Sequence, residues 1–283
     1  MARRADSARD LEARGAEVVQ ADALRPESLA PALEGVNIGY YLVHSMGRGS
    51  EGDFAEKDRR AASSFGAAAA EAGVRNLVYL GGLGEGGSKH LRSRHETALA
   101  LADSGVPTTY FRAAAVVGAG SESFRTVLYL VKRLPVMVTP RWTTTRTQPV
   151  AIADVIDYLA SAPEVEAARG REIEIGGPEA TTYGGMIDAM AQAMDRRPPV
   201  RIIVPVLTPW LSSLWIGLVT PVDAGVARPL IEGLSTETVV KDPSGMRLFD
   251  IEPVPLGQAM LAALDELEAM DDRSGRPATD HGG

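Results

Sequence analysis

Apolar and polar positions follow two repeating patterns along the chain, short extended runs and longer stretches with helical spacing, as far as about Tyr158. Runs such as Ile38–Val43 and Leu77–Leu80 are apolar at consecutive positions, which is typical of strands buried on both faces of a parallel sheet. The helical stretches between them end at glycines, for example Gly73 and Gly105. This alternation predicts an α/β protein with a doubly wound parallel sheet.

The predicted elements follow one another without long gaps. In chain order they are a helix over Asp6–Arg14, a strand over Ala16–Ala21, a helix over Pro26–Leu33, a strand over Ile38–Val43, a helix over Asp53–Ala72, a strand over Leu77–Leu80, a glycine-rich turn over Gly81–Gly87, a helix over His90–Ser104, an extended run over Thr108–Val117, a helix over Ser123–Arg133, a strand over Arg171–Ile175 and a helix over Tyr183–Met194. Ligands of parallel sheets bind at the carboxyl ends of the strands. We therefore expect the site at Gly81–Arg94 and Arg112–Gly118.

The alternation of predicted strands and helices ends at about Tyr158. We predict a first domain over residues 1–160, a smaller α+β region over 161–270 that holds the substrate or a partner, and a disordered tail over 271–283. In the second region Thr182 is placed to cap a helix. Met186, Met190 and Met194 fall on one face of that helix and predict a core stripe.

One stretch of the second region is strongly apolar. Ile202–Val222 contains no charged residue over 21 positions, which is long enough to span a bilayer. Three prolines interrupt it, so a buried apolar wall beside a ligand pocket is favoured over a transmembrane helix. A further alternative is a membrane-surface segment anchored by Trp210 and Trp215.

Composition narrows the classes of function. The net charge of −8 argues against nucleic-acid binding. The chain has no cysteine, which excludes disulfides, thiolate metal sites and a cysteine nucleophile and suits a reducing cytoplasm. The first residues lack the apolar core of a signal peptide. We expect no metal site, because His95-Glu96 has no second histidine at Leu99.

The dinucleotide pattern G-x-G-x-x-G occurs twice, in Gly47–Gly52 and Gly82–Gly87. Both copies follow a predicted strand and precede a predicted helix. A dinucleotide site also needs an acidic residue about 20 positions further on, at the end of the next strand. Neither copy has one. Each is therefore interpreted as a loop over a site and not as the cradle of a pyrophosphate.

Several stretches together resemble the atypical short-chain dehydrogenases. They are Tyr40–Ser45, Asn76–Gly84, Ser93–Glu96, Gly105–Ala113, Pro135–Trp142, Gln148–Ile152, Leu211–Pro221 and Ala227–Leu230. The chain is most similar to the NAD(P)H-binding group related to NmrA-like regulators and to the complex I accessory subunit of this fold. The resemblance extends from Arg3 to about Leu267. It implies a Rossmann-like fold, NADP as the cofactor with NAD as the alternative, and a bacterial cytoplasmic protein.

The resemblance also implies cofactor-binding positions. Arg3 and Arg4 would face the 2′-phosphate of NADP, although a solvated terminus explains them equally well. The other implied positions are Asp22 near the adenine, Val43 and His44 near the ribose, Gly81 and Gly82 at the end of the central strand, and Ala113 and Ala114 along the nicotinamide.

The usual catalytic groups of the family are replaced. Active members use a serine after the central strand and a Tyr-x-x-x-Lys pair on the next helix. This chain has Gly81–Gly84 at the serine region, and His90 and Arg94 at the positions of the pair. A nearby cation would keep His90 neutral and able to accept a proton, so His90 and Arg94 are the catalytic candidates. The alternative is an exposed histidine at the start of a helix.

Members of the family normally begin with a strand, a glycine-rich loop and a helix, about 30 residues that would precede Arg3. Either the working protein is longer than this sequence, or it is truly shortened. Loss of a central strand would expose apolar neighbours such as Val19 and Tyr41, at about 25 cal/mol per Å². This cost favours the longer protein.

Two kinds of function follow from these observations. The first is an NAD(P)-dependent reductase or isomerase that acts on a small apolar substrate. The second is a non-catalytic NAD(P)-sensing regulator or assembly protein that binds a protein partner, which the loss of the serine, tyrosine and lysine favours. No nucleic-acid partner is expected, and a membrane surface is the least favoured partner.

Overall fold

The computed structural model describes residues 1–4, 8–43, 54–84, 88–204 and 234–274. The strands are β1 (Ile38–Tyr41), β2 (Asn76–Gly82), β3 (Thr108–Ala113), β4 (Val116–Val117), β5 (Val136–Pro140), β6 (Arg146–Thr147), β7 (Val150–Ala151), β8 (Glu172–Ile175), β9 (Thr181–Thr182) and β10 (Val200–Val204). The α-helices are α1 (Arg9–Glu12), α2 (Leu29–Leu33), α3 (Phe54–Glu71), α4 (Lys89–Ala102), α5 (Glu122–Arg133), α6 (Ile152–Ser161), α7 (Tyr183–Ala193) and α8 (Leu256–Ser274). Short 3₁₀ turns cover Pro26–Ser28, Arg141–Thr144, Glu166–Ala168 and Met246–Leu248.

The chain divides into two compact units, each built from separate stretches. The first unit contains Met1–Gly82, Arg92–Arg112 and Ala160–Ile173. The second unit contains Leu83–Leu91, Ala113–Leu159 and Glu174–Gly283. The domain limits given by the sequence, 1–160 and 161–270, stay a prediction.

The main sheet has four strands in the order β1-β2-β3-β8. Strands β1 and β2 are parallel, with Ile38 opposite Asn76 and Tyr41 opposite Tyr79. Parallel neighbours need a helical crossover, which α3 provides between β1 and β2. The predicted α/β fold with a parallel central sheet is confirmed.

Alanine-rich α3 packs closely in the core of the first unit. Ala62 and Ala69 on this helix are fully buried, and Phe65 lies beside them. The Phe65 ring centroid is 5.2 Å from that of Tyr41 on β1. Small side chains on α3 therefore let the aromatic rings of the strands fill the space between helix and sheet. Gly73, at a φ of +73°, ends this region as predicted.

Two predicted elements of the first unit differ from the structure. Ala16–Ala21 was expected to be a strand, but its pairing among the described residues is an isolated parallel bridge between Gln20 and Ala2. Gly81 and Gly82 were expected in a turn, whereas they form the last two residues of β2.

The second unit has a core in which α7 packs against α5 and α8. Met186 and Met190 on α7 are buried and Met194 is partly buried against them, so the predicted methionine stripe is confirmed as core. The Thr182 hydroxyl accepts the Gly185 N–H at 3.0 Å, which confirms the predicted N-cap.

The end of the predicted apolar wall and part of the predicted tail can be placed. Ile202 lies in β10 and is 52% exposed, while 205–222 lies outside the described residues. Residues 271–274, expected in a disordered tail, continue α8, whose helical ladder extends to Ser274. The remainder of that tail is outside the described residues. In the described parts of the chain, no helix combines the length and the apolar character needed to cross a membrane.

Candidate functional site

Arg94 is turned onto the carboxyl end of β2. Its Nη2 donates a hydrogen bond to the Leu80 carbonyl oxygen at 2.5 Å. The guanidinium carbon lies 5.4 Å from the centroid of the Tyr79 ring, within the range of a cation–π interaction. The sequence placed Arg94 on the predicted helix after the central strand, but it did not predict that the side chain would reach the strand backbone. Its predicted catalytic role stays a prediction.

Gly81 lies against the phenol of Tyr110 on β3. A Cβ atom at residue 81 would stand 2.7 Å from Tyr110 Cε2 and 2.8 Å from Tyr110 Oη. Real Cβ atoms do not approach other atoms this closely, so residue 81 has to be glycine unless Tyr110 moves. Sequence reasoning singled out Gly81 but missed Tyr110, because the contact joins two strands and leaves no local signal.

Three tyrosines share this face of the sheet. The ring centroids of Tyr41 and Tyr79 are 6.1 Å apart, and those of Tyr79 and Tyr110 are 5.3 Å apart and stacked. Burial raises the pKa of all three phenols above the ordinary value, and the Asp58 carboxylate raises the pKa of Tyr41 further. Arg94 acts on each of them in the opposite direction. The phenols therefore keep their protons at neutral pH.

A second arginine contacts the same strand end. Arg112 Nε donates to the Gly82 carbonyl oxygen at 3.5 Å, and Arg112 Nη1 donates to Glu172 Oε1 at 2.6 Å. The Arg112 side chain is 13% exposed. Two guanidinium groups, those of Arg94 and Arg112, thus donate to carbonyl oxygens in the last three residues of β2. Arg94 adds positive charge at this end of the strand, whereas the charge of Arg112 is offset by the Glu172 carboxylate.

The predicted cofactor positions of the first unit lie at the surface or just beneath it. Arg3 and Arg4 are exposed, and the Arg3 carbonyl oxygen accepts a hydrogen bond from Gln20 Nε2 at 3.2 Å. Asp22 Oδ1 accepts the Leu24 N–H at 3.0 Å and so stabilises its own turn. Val43 follows β1 and is 41% exposed. His44 lies outside the described residues.

The remaining positions belong to the second unit. His90 is half-buried in the first turn of α4, where the Ser88 hydroxyl accepts the Leu91 N–H at 3.2 Å. The Ala113 carbonyl accepts the Leu83 N–H at 2.7 Å, which leaves Ala113 engaged in backbone pairing. Ala114 is half-buried. The roles of His90, Ala113 and Ala114 stay predictions.

The two glycine patterns are only partly visible. Residues 47–52 lie outside the described residues, as do 85–87. In the visible part of the second pattern, Gly84 has a φ of +123°, and a Cβ there would stand 3.1 Å from Thr236 Cγ2. The positive φ favours glycine at residue 84, and a Cβ there would be tightly packed. The structure gives no group of three or more His, Asp or Glu side chains that could hold a metal, within the residues that it describes.

Comparison with known proteins defines the class. Residues 1–116 match the model of the NAD(P)H-binding family. The match covers the first 116 of 283 residues and supports an NAD(P)H-binding domain in this part of the chain. The resemblance inferred from the sequence is confirmed at this level. No curated protein sequence matches the chain.

Solved structures with this fold include reductases and an epimerase. The NADPH-dependent quinone oxidoreductase of Escherichia coli, in complex with NADPH, aligns with a TM-score of 0.72 at 19% identity over 91% of this chain and 87% of its own. The Citrobacter sp. triphenylmethane reductase, in complex with NADP(H), aligns at 0.70 and 17% identity over 92% and 88%. A nucleoside-diphosphate-sugar epimerase from Staphylococcus aureus aligns at 0.72 and 13% identity over 92% and 88%. At these identities the likeness is one of fold.

Proposed function

We propose that the protein is an NADPH-dependent reductase that acts on a small, apolar, aromatic acceptor. The observation that carries the proposal is the match of residues 1–116 to the NAD(P)H-binding family. The fold is shared with a quinone oxidoreductase and a triphenylmethane reductase, both solved with a nicotinamide cofactor. When bound, such a cofactor supplies a hydride.

The residues present fit this cofactor. Gly82, the last residue of β2, is half-buried and has no side chain, so a planar group can approach the backbone there. Leu42 and Val43 follow β1 and are 56% and 41% exposed, which provides an apolar surface in the same unit. Arg3 and Arg4 are exposed and can meet the additional phosphate that distinguishes NADP from NAD.

A second candidate function has its own support. Arg94, one of the two predicted catalytic residues, donates to the Leu80 carbonyl, and Gly81 has no hydroxyl to offer a substrate. A protein that binds NAD(P) and senses whether the cofactor is oxidised or reduced needs no catalytic groups. A site without a free Arg94 or a hydroxyl at residue 81 is compatible with that role. A protein partner would then replace the small substrate.

Binding and turnover separate the two candidates. We expect NADPH to bind in a calorimetric titration more tightly than NADH, and menadione or crystal violet to accelerate NADPH oxidation. An Arg3→Ala variant should lose preference for NADPH, with Arg9→Ala as the matched exposed control. Binding without oxidation of either acceptor would favour the sensor. Failure of both cofactors to bind would contradict both candidates.

The reductase is proposed to work in the bacterial cytoplasm, where NADPH is available. The absence of cysteine from the sequence agrees with a reducing compartment. Cell fractionation with an antibody against the chain tests this location. Recovery in a membrane pellet or outside the cell would contradict it.

A further inference from the structure

A short segment of the second unit, residues 235–242, is anchored beside the end of β6. Thr238 pairs with Thr147 as a parallel bridge, and the Thr238 hydroxyl donates to the Thr147 hydroxyl oxygen at 2.8 Å. These two threonines are 6% and 0% exposed. The Gln148 backbone N–H donates to the Thr238 carbonyl oxygen at 2.9 Å. The middle of the 235–242 segment is therefore fixed by both backbone and side-chain bonds.

Side chains from two other stretches hold the rest of the segment. Gln148 Oε1 accepts the Val240 N–H at 3.1 Å, while Gln148 Nε2 donates to the Gly177 carbonyl oxygen at 2.7 Å. Glu174 Oε2 accepts the Lys241 N–H at 2.6 Å. An amide and a carboxylate thus bond backbone groups of a segment that belongs to no helix or extended strand.

The 235–242 segment contacts the loop after β2 through two methyl groups. Thr236 Cγ2, Leu91 Cδ1 and Thr238 Cγ2 lie 3.1, 3.2 and 3.3 Å from the point where a Cβ of residue 84 would stand. Gly84 belongs to the loop and has a φ of +123°. All four residues belong to the second unit. The backbone of Gly84 is therefore enclosed by Leu91 on its own side and by the two threonine methyl groups on the other.

This contact reaches the predicted catalytic residue His90. Leu91 directly follows His90 in the first turn of α4, and the Leu91 N–H donates to the Ser88 hydroxyl at 3.2 Å. At the start of the loop, the Leu83 N–H donates to the Ala113 carbonyl oxygen at 2.7 Å. Close packing leaves such a segment little room to shift. The place of His90 is thus set by the strand ends and by the threonine methyl groups together.

We propose that Thr236 and Thr238 are positioning residues, which hold the start of α4, and with it His90, in the arrangement that turnover requires. This inference rests on the proposed reductase function. The two threonines act through their packing on Gly84 and Leu91. A small misplacement of a reacting group by a distant substitution can cost about a hundredfold in rate. Loss of the methyl groups should therefore lower kcat.

Removing both methyl groups is the direct test. The Thr236→Ser/Thr238→Ser double variant keeps both hydroxyls, including the one that bonds Thr147. We expect its kcat for menadione to fall about tenfold, with the Kd for NADPH within about twofold of wild type. Thr144→Ser, which removes a methyl group from an exposed threonine of the same unit, is the matched control and should behave as wild type.

A restored methyl group separates packing from other effects of the substitutions. Thr236→Val keeps a methyl group beside residue 84 and removes the hydroxyl. Combined with Thr238→Ser, it should recover most of the kcat that the double variant loses. A combination no faster than the double variant would overturn the assignment of the methyl group at residue 236.

Hydrogen exchange measured by mass spectrometry gives a readout that does not need turnover. Two buried methyl groups contribute enough to local stability that peptides containing Leu83, Gly84 and Leu91 should exchange about tenfold faster in the double variant. Peptides from α7, in the core of the same unit, should exchange as in wild type. Equal acceleration in α7 would reveal a general loss of stability and would overturn the positioning role.

The remaining outcomes separate this inference from the reductase function. Unchanged exchange at Leu83, Gly84 and Leu91 would show that the threonines do not hold the loop. Faster exchange there with an unchanged kcat for menadione would overturn their role in turnover and leave the reductase function standing. A wild type that binds no NADPH would overturn the reductase function and the role in turnover together.

Discussion

The guanidinium of Arg94 donates to the Leu80 carbonyl oxygen at 2.5 Å, so the helix after the central strand holds the end of that strand. The oxygen belongs to a half-buried residue two positions before the end of β2. A charged donor strengthens such a bond relative to a neutral one. The geometry makes Arg94 a determinant of the position of Gly81 and Gly82, whatever its part in chemistry.

Arg94→Ala should destabilise the protein by about 1–3 kcal/mol, because it leaves the Leu80 carbonyl without this charged donor and removes the contact with Tyr79. Urea denaturation followed by circular dichroism measures the change. Arg92→Ala is the matched control on the exposed face of α4 and should change stability by less than about 0.5 kcal/mol. Equal effects of the two variants would contradict this reading of Arg94.

Gly81→Ala should also destabilise, by about 1–3 kcal/mol, because the new methyl group would collide with Tyr110. Gly257, in the first turn of α8, has no atom within 4 Å of a built Cβ, so Gly257→Ala should be neutral or stabilising by up to about 1 kcal/mol. Thermal unfolding of both variants is the measurement. Combining Gly81→Ala with Tyr110→Leu should recover most of the loss, and an unrecovered loss would show that the collision is not its cause.

The end of β2 shows which features could be predicted from the sequence and which could not. The buried strand at Leu77–Leu80 could be predicted, because consecutive apolar residues flanked by helices have few other solutions. Gly81 and Gly82 could not be placed in that strand, since paired glycines usually signal a turn. In the structure β2 continues through both glycines, and the Tyr110 ring occupies the space of the missing side chain at residue 81.

Elsewhere, too, contacts between residues close in sequence were predictable, whereas contacts between separate elements were not. The Thr182 cap was predictable because its acceptor and the Gly185 donor lie three residues apart. Arg94 was correctly placed on α4, but its reach to Leu80 depends on how the helix packs on the sheet. Contacts of that kind are set by tertiary structure, and a local pattern does not contain them.

Two ion pairs of the second unit should differ in strength because they differ in geometry. Arg201 contacts Asp188 through two bonds, Nη1 to Oδ1 at 2.6 Å and Nη2 to Oδ2 at 2.8 Å, and Nη1 also donates to the Gly184 carbonyl at 2.9 Å. Arg146 contacts Glu237 at 3.2 Å with both side chains more than half exposed. Fork geometry and partial burial favour the first pair.

Arg201→Met should therefore cost about 1–3 kcal/mol in the free energy of unfolding, whereas Arg146→Met should cost about 0–1 kcal/mol. Added salt should reduce any effect of Arg146→Met and leave most of that of Arg201→Met. Guanidinium chloride is itself a salt, so urea is the denaturant for this comparison. A loss in Arg146→Met as large as that in Arg201→Met would contradict the ranking.

Alkaline pH should destabilise the protein through its buried phenols, and Tyr158 gives the clearest case. Burial, with a smaller contribution from the Asp154 carboxylate, raises the pKa of Tyr158 from 10.0 to about 12. The phenol packs edge-on against the Phe249 ring at 5.2 Å. Because the folded pKa exceeds the unfolded one, the contribution is complete below pH 10 and is lost as the pH rises from 10 through 12. The other buried phenols, with raised pKa values, act in the same direction.

Tyr158→Phe should reduce the loss of unfolding free energy between pH 10 and pH 12 by about 2 kcal/mol relative to wild type. Urea titrations at several pH values between 9 and 12 measure how the free energy of unfolding changes with pH. Because the pKa of Tyr158 is raised in the folded state, this free energy should fall as the pH rises. Tyr129→Phe is the matched control, since Tyr129 is half-buried beside the Arg133 guanidinium. A Tyr158→Phe slope equal to that of wild type would mean that this phenol ionises no differently in the folded and unfolded chains.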